Sequence, residues 1–187
     1  MKTMWHFCGA DRKLSKGDGR HIKTGRTLKY KDDLWMCKSG LHASPTIYDA
    51  LQYAPGPILC KVVLGGKVIK GDDKSVAEER TVLKMRDVTN DLHEFACQCA
   101  ERALRRVKVT DSRCWDAIKA KRLWLRGKIS DKELAMARDA AGAADTAGAA
   151  WDVARDAAWD ASGAVAGSGA WAAEIAWQKK TLQKLCG

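Results

Sequence analysis

Few side chains in this 187-residue chain combine a reactive type with a useful spacing. His42-Ala43-Ser44 ends a Gly-Leu-His-Ala-Ser segment, and Glu78-Glu79 is an adjacent acid pair. Neighbouring residues on a strand point to opposite faces, so Glu78 and Glu79 would not work together on one substrate. Ser44 reads as a helix cap and His42 as a hydrogen-bonded turn or strand residue. His93 and Cys97 are four apart and share a helix face, but Cys99 lies on another side. Zinc needs three or four converging ligands, so no metal site is expected. The seven cysteines carry no nucleophile signature and read as small buried hydrophobes and reduced thiols. Neither Gly17-Asp18-Gly19 nor Gly65-Gly66 has a phosphate-loop frame, so no cofactor is expected.

The other chemistry on offer is charge. Residues 1–90 carry 17 Lys+Arg against 10 Asp+Glu, a net of +7. Residues 91–130 carry 10 against 5, net +5, and 131–187 carry 6 against 8, net −2. Lys119, Arg122 and Arg126 are spaced three and four apart and form a basic helix edge. Arg102, Arg105 and Arg106 cluster on the preceding helix. A protein with an acidic surface is the partner this pattern suits, with a nucleic acid as the alternative. No stretch approaches 18 uninterrupted apolar residues, which excludes a membrane span, and no signal peptide is evident at the start. The expected location is the cytoplasm.

These residues need elements to position them. Leu34–Cys37 reads as a short strand, and Pro45–Tyr53 as a helix capped by Ser44. Ile58–Leu64 alternates with period two and is the clearest strand. Gly65-Gly66 signals a hairpin, with Lys67–Lys70 returning and Arg80–Val88 as a further strand. From residue 89 the period becomes helical. Leu92, Phe95, Ala96, Cys99, Ala103 and Val107 form one apolar stripe, with acids at its start and arginines at its end. A second helix runs from about Asp111 to Arg126 and ends at Gly127. Ser130-Asp131-Lys132-Glu133 is a capping box that opens a third. The alanine-rich tail, 134–177, reads as helices filled by Trp151, Trp159, Trp171 and Trp177. Four helices at least are expected after residue 89, with Trp115, Trp124, Trp151 and Trp159 mostly buried. The fold class is α+β: a small mixed-sheet domain at 1–88, then an all-helical domain at 89–187.

Three motifs then carry a resemblance. Asp91-Leu92-His93-Glu94-Phe95-Ala96-Cys97-Gln98-Cys99-Ala100, Asp111-x-Arg113-x-x-x-Ala117-Ile118 and Trp124-x-x-Gly127-Lys128-Ile129 precede the alanine-rich tail. Over about residues 90–185 this order resembles a family of helical immunity proteins associated with bacterial toxin–immunity systems. The resemblance implies protein binding and no catalysis. In the first half, Trp35-Met36-Cys37-x-x-Gly40-Leu41-His42-Ala43-Ser44, Asp49-Ala50-Leu51-x-Tyr53 and Gly71-Asp72-Asp73-Lys74 resemble a phage domain of unknown function, which implies a phage or prophage origin. Together they imply an inhibitor of a bacterial defence or toxin component, acting in the host cytoplasm and meeting it through Arg102, Arg105, Arg106, Lys119, Arg122 and Arg126.

The order of elements in the first half is also similar to that of ADP-ribosyltransferases. That likeness implies a nicotinamide dinucleotide site in which His42 and Ser44 meet a late carboxylate, Glu78 or Glu79. Here the serine motif is reduced to Ser44 and the two acids lack a spacer. The enzyme stands behind both binding readings.

Overall fold

The computed structural model describes residues 2–14, 19–142 and 169–187. Their elements are β1 (Thr3–Cys8), β2 (Thr27–Lys29), β3 (Leu41–Ala43), α1 (Ile47–Leu51), β4 (Ile58–Lys70), β5 (Ser75–Asp87), α2 (Thr89–Arg106), α3 (Ser112–Leu125), α4 (Asp131–Gly142) and α5 (Gly169–Cys186). The fold is mixed α+β. Two compact units divide it: residues 1–89 with 179–187, and residues 90–178. The chain thus changes character at 89, next to the expected boundary. Residues 179–187, by contrast, belong with the sheet unit, not with the helical one. Lys179 pairs with the buried Asp49 at 3.2 Å, Arg86 Nη2 donates to the Leu185 carbonyl at 3.0 Å, and Leu182 is fully buried.

In the first unit five antiparallel strands run in the order β1-β4-β5-β2, with β3 also on β5. The Ile58–Leu64 alternation forms the first half of β4 as expected. Its partner is different. β4 continues through Gly65-Gly66 to Lys70 and pairs with β5, so the turn lies at Gly71–Lys74. Gly65-Gly66 makes a bulge between Gly65 and Val68, with Gly66 at φ +66°. A left-handed glycine suits a bulge as well as a two-residue hairpin, so the dipeptide alone does not choose.

Two further expectations are corrected. Leu34–Cys37 is not a strand. It folds into a turn with Cys37 at φ +67°, where the Lys38 and Ser39 amides donate to the Trp35 carbonyl. The helix α1 is capped by Thr46, whose hydroxyl accepts from the Asp49 amide at 3.1 Å, not by Ser44. Ser44 instead exchanges two backbone hydrogen bonds with Trp5, at 2.8 and 2.7 Å. That bridge links the end of β3 to β1, so β1, β4, β5 and β3 close a ring of strands. Cys8, Ile22, Leu28, Leu41, Ala43, Ile58, Cys60, Val62 and Val82 form its apolar core.

In the second unit every described element is a helix. Cys97, Leu104, Cys114 and Ile118 form a buried cluster, with the half-buried Trp115 against it. Asp111 caps α3, accepting from the Arg113 amide. The capping box forms: the Ser130 hydroxyl accepts from the Glu133 amide at 3.3 Å, and Glu133 accepts from the Ser130 amide at 2.8 Å. Trp115 and Trp124 are half-buried, less than expected, because each sends its indole N–H to a surface acceptor, the Val109 carbonyl and Asp131. The expectations for Trp151, Trp159 and the helices between 143 and 168 lie outside the described residues. All seven cysteines are free thiols, and six are buried. No described helix is long and apolar enough to cross a membrane.

Candidate anion-binding pocket

Arg80 sits on β5, opposite Leu64 of β4 and Leu28 of β2, two residues from the core residue Val82. Period two turns it inward with Val82. Only 1% of it is exposed. Its Nη1 donates to the His42 carbonyl oxygen at 2.7 Å. Among the described residues Nε and Nη2 have no hydrogen-bond partner. These two nitrogens form the side-on edge of a guanidinium, the edge that takes two oxygens of one carboxylate or phosphate. Burial draws the pKa down to about 10 against the opposing pull of the Cys60 and Cys8 thiols, so the group stays charged at neutral pH. A buried charge without a counter-ion costs several kcal/mol, roughly, and such groups are normally paired.

The guanidinium lines a cavity of about 990 Å³. Lys13, Arg20, Lys29, Lys31, Lys38 and Lys74 also line it, and Asp32 is the one carboxylate among the described lining residues. Clefts lined by one sign of charge concentrate ions of the other. His6 of β1 lines the same space. Its pKa is pushed well below the usual histidine value, first by burial and then by the charges of Arg80 and His42, so it is neutral at pH 7. Beside it the Cys8 and Cys60 sulfurs lie 3.8 Å apart. The hydrogen bond from Cys60 draws the Cys8 thiol down, and Arg80 and Arg12 add to that; its partner Cys60 is pushed up.

The structure separates the four residues of the enzyme reading. His42 and Ser44 line the cavity. His42 is held on both ring nitrogens: Nε2 accepts from the Cys37 amide at 3.1 Å and Nδ1 lies 3.2 Å from the Gly40 carbonyl. It therefore shapes the turn, as the sequence indicates. Glu78 instead caps the bulge, accepting from the Lys67 amide at 2.8 Å, and Glu79 pairs with Lys29 at 2.8 Å. Neither acid is among the described lining residues, so neither of the two meets His42 and Ser44 there.

The basic residues of the helical unit are also brought together, but with acids among them. Arg122 takes Glu94 in a two-pronged pair, 2.9 Å on each prong, and also bonds Glu101. Those contacts raise its pKa and lower that of Glu94. Arg102 and Arg106 share Glu174 at 2.6 and 3.4 Å, Arg105 is 3.8 Å from Glu101, and Lys119 is 3.2 Å from Asp116. Arg102 also stacks on Trp177 at 4.7 Å. Arg122 is thus a strut between α2 and α3, and of the expected basic edge Lys119 and Arg126 are the exposed members. Among the described residues no three His, Cys, Asp or Glu side chains are grouped to hold a metal.

No family model, curated protein or solved structure matches this chain. The functional reading therefore rests on the residues themselves. Arg80 and His6 were not among the sequence candidates. The signal for Arg80 was present: period two back from Val82 places a charged residue on an inward face.

Proposed function

We propose that the sheet unit is a binding module for a small ligand bearing an oxyanion, received by Arg80. The single observation that carries this is a buried arginine that lines a cavity and whose Nε and Nη2 have no hydrogen-bond partner among the described residues. A ligand oxyanion would supply the two missing hydrogen bonds and the missing counter-charge together. Charge-assisted pairs of this kind are the strong ones. The test is thermal unfolding of the full chain with rising inorganic phosphate. Ligand at a hundred times its Kd stabilises by about 2.7 kcal/mol. The expected result is a saturable rise in Tm that Arg80→Met removes. A rise shared equally by the variant would remove the reading.

For the helical unit we propose protein binding of the immunity type, as part of a phage- or prophage-encoded inhibitor of a bacterial defence or toxin component in the host cytoplasm. The three motifs over Asp91–Ile129 support it, and so do Val107, Leu123 and Met136, large apolar side chains left exposed on or beside its helices. We further infer that this unit is helical throughout. Pull-down from bacterial lysate, with mass spectrometry, tests it: one protein retained by the wild type and lost on Leu123→Asp with Met136→Asp supports the role. A nucleic acid retained instead, released by salt and lost on Lys119→Glu with Arg126→Glu, would replace it.

A further inference from the structure

We propose that the ligand of the Arg80 pocket is the terminal phosphate of a nucleoside-sized molecule, a phosphomonoester whose sugar and base fill the rest of the cavity. This rests on the anion-binding reading above and names its ligand class.

Three observations narrow the class. The first is depth. Arg80 is 1% exposed, and it lines the cavity from within the closed ring of strands. An end group can enter a recess and stop there, whereas an internal phosphodiester must bring chain in and take chain out. The second is charge. Beside the guanidinium, the cavity carries six lysines and arginines against one described carboxylate. A phosphomonoester carries close to two charges at neutral pH and suits that basic lining better than a monocarboxylate does. The third is size. Cavities for organic ligands run from about 300 to 1,000 Å³, and this one lies at the upper end, far beyond what a bare phosphate occupies. Trp5, Tyr30 and Tyr53 supply aromatic surface along its lining. Tyr53 is held in place by its hydroxyl on Asp73 and by the Lys74 ammonium 3.7 Å from its ring centre. Aromatic rings fixed in this way are surfaces on which a base can stack.

The same terminal phosphate occurs on a free nucleotide and at the 5′ end of a nucleic acid. Isothermal titration of the full chain separates these sources and tests the class. The probes are inorganic phosphate, adenosine, adenosine 5′-monophosphate, its 5′-phosphate methyl ester, and a six-nucleotide RNA with and without a 5′-phosphate. The nucleoside monophosphate is expected to bind at least tenfold tighter than inorganic phosphate and at least tenfold tighter than its methyl ester, with adenosine alone not binding. Arg80→Lys, which keeps the charge but not the fork, is expected to weaken the monophosphate at least tenfold. A phosphorylated RNA that matches the monophosphate assigns the site to nucleic-acid ends, and one that fails to bind assigns it to free nucleotides. Equal binding of inorganic phosphate and the monophosphate would overturn the nucleoside-sized ligand while leaving the anion site standing. Equal binding of the methyl ester would overturn the terminal phosphate. No binding of any phosphate probe would overturn both readings.

Discussion

Arg80 on β5 donates from Nη1 to the main-chain oxygen of His42, 2.7 Å away and 38 residues earlier in the chain. That bond anchors one end of the guanidinium to the turn that His42 itself shapes. The opposite edge, Nε and Nη2, has no hydrogen-bond partner among the described residues.

The Arg80 charge is buried, and no carboxylate pairs with it among the described residues. Arg80→Met keeps much of the volume and removes the charge. We expect the variant to be as stable as the wild type or more stable, by about 1–4 kcal/mol, as when buried ions are replaced by apolar groups. Chemical denaturation without added anions measures it. A loss of 3 kcal/mol or more, roughly the cost of breaking a satisfied buried pair, would mean that Arg80 is already partnered.

His6 gives the pH dependence. Its folded pKa lies below its unfolded value of 6.5. As pH falls through 6.5 the unfolded chain takes up a proton that the folded chain refuses, so stability falls with falling pH. The slope is at most about 1.4 kcal/mol per pH unit for one group. His93 is shifted in the same direction, by burial and then by Lys121, so the difference between wild type and His6→Gln is the readout. We expect His6→Gln to flatten the stability profile between pH 6.5 and 5. Superimposable profiles would contradict the burial of a neutral His6.

Arg122 separates structure from interface. It joins Glu94 and Glu101 of α2 to α3, and its side chain is 23% exposed. Arg122→Ala should destabilise by about 2 kcal/mol, less than a fully buried pair and more than a surface one. Lys119→Glu with Arg126→Glu should change stability by less than about 1 kcal/mol. Equal, small losses from the two variants would return Arg122 to the free basic edge.

Glu78→Gln and Glu79→Gln address catalysis. The acids cap a bulge and pair with Lys29, away from the cavity lining. Each variant should keep phosphate affinity within about threefold and lose no more than about 1 kcal/mol of stability. Loss of activity by either, with Tm unchanged, would bring the enzyme reading forward.

The helical unit was the more legible half. Its stops and starts are local: Asp111 and Ser130 cap α3 and α4 within three residues of themselves, so sequence shows them directly. The sheet unit was less legible because its decisive contacts are long-range. Gly65-Gly66 looked like a turn until β5 supplied a partner that carries β4 past it. Ser44 looked like a cap until Trp5, 39 positions earlier, took its backbone. Two residues of the candidate pocket, His42 and Ser44, were visible in the sequence. Arg80 was hidden because an arginine in a strand is normally read as solvated, and only the closed ring of strands removes the solvent.

The central claim is that an oxyanion docks on the Nε/Nη2 edge of Arg80. Arginine Nε–H resonances in a ¹H–¹⁵N spectrum report it most directly, with Arg80 assigned from the Arg80→Met spectrum. The account predicts that phosphate moves the Arg80 Nε–H resonance downfield along a saturable curve while the other arginines barely shift. An Arg80 resonance unmoved at saturating phosphate, or one that shifts no more than the exposed Arg126 resonance does, would contradict it.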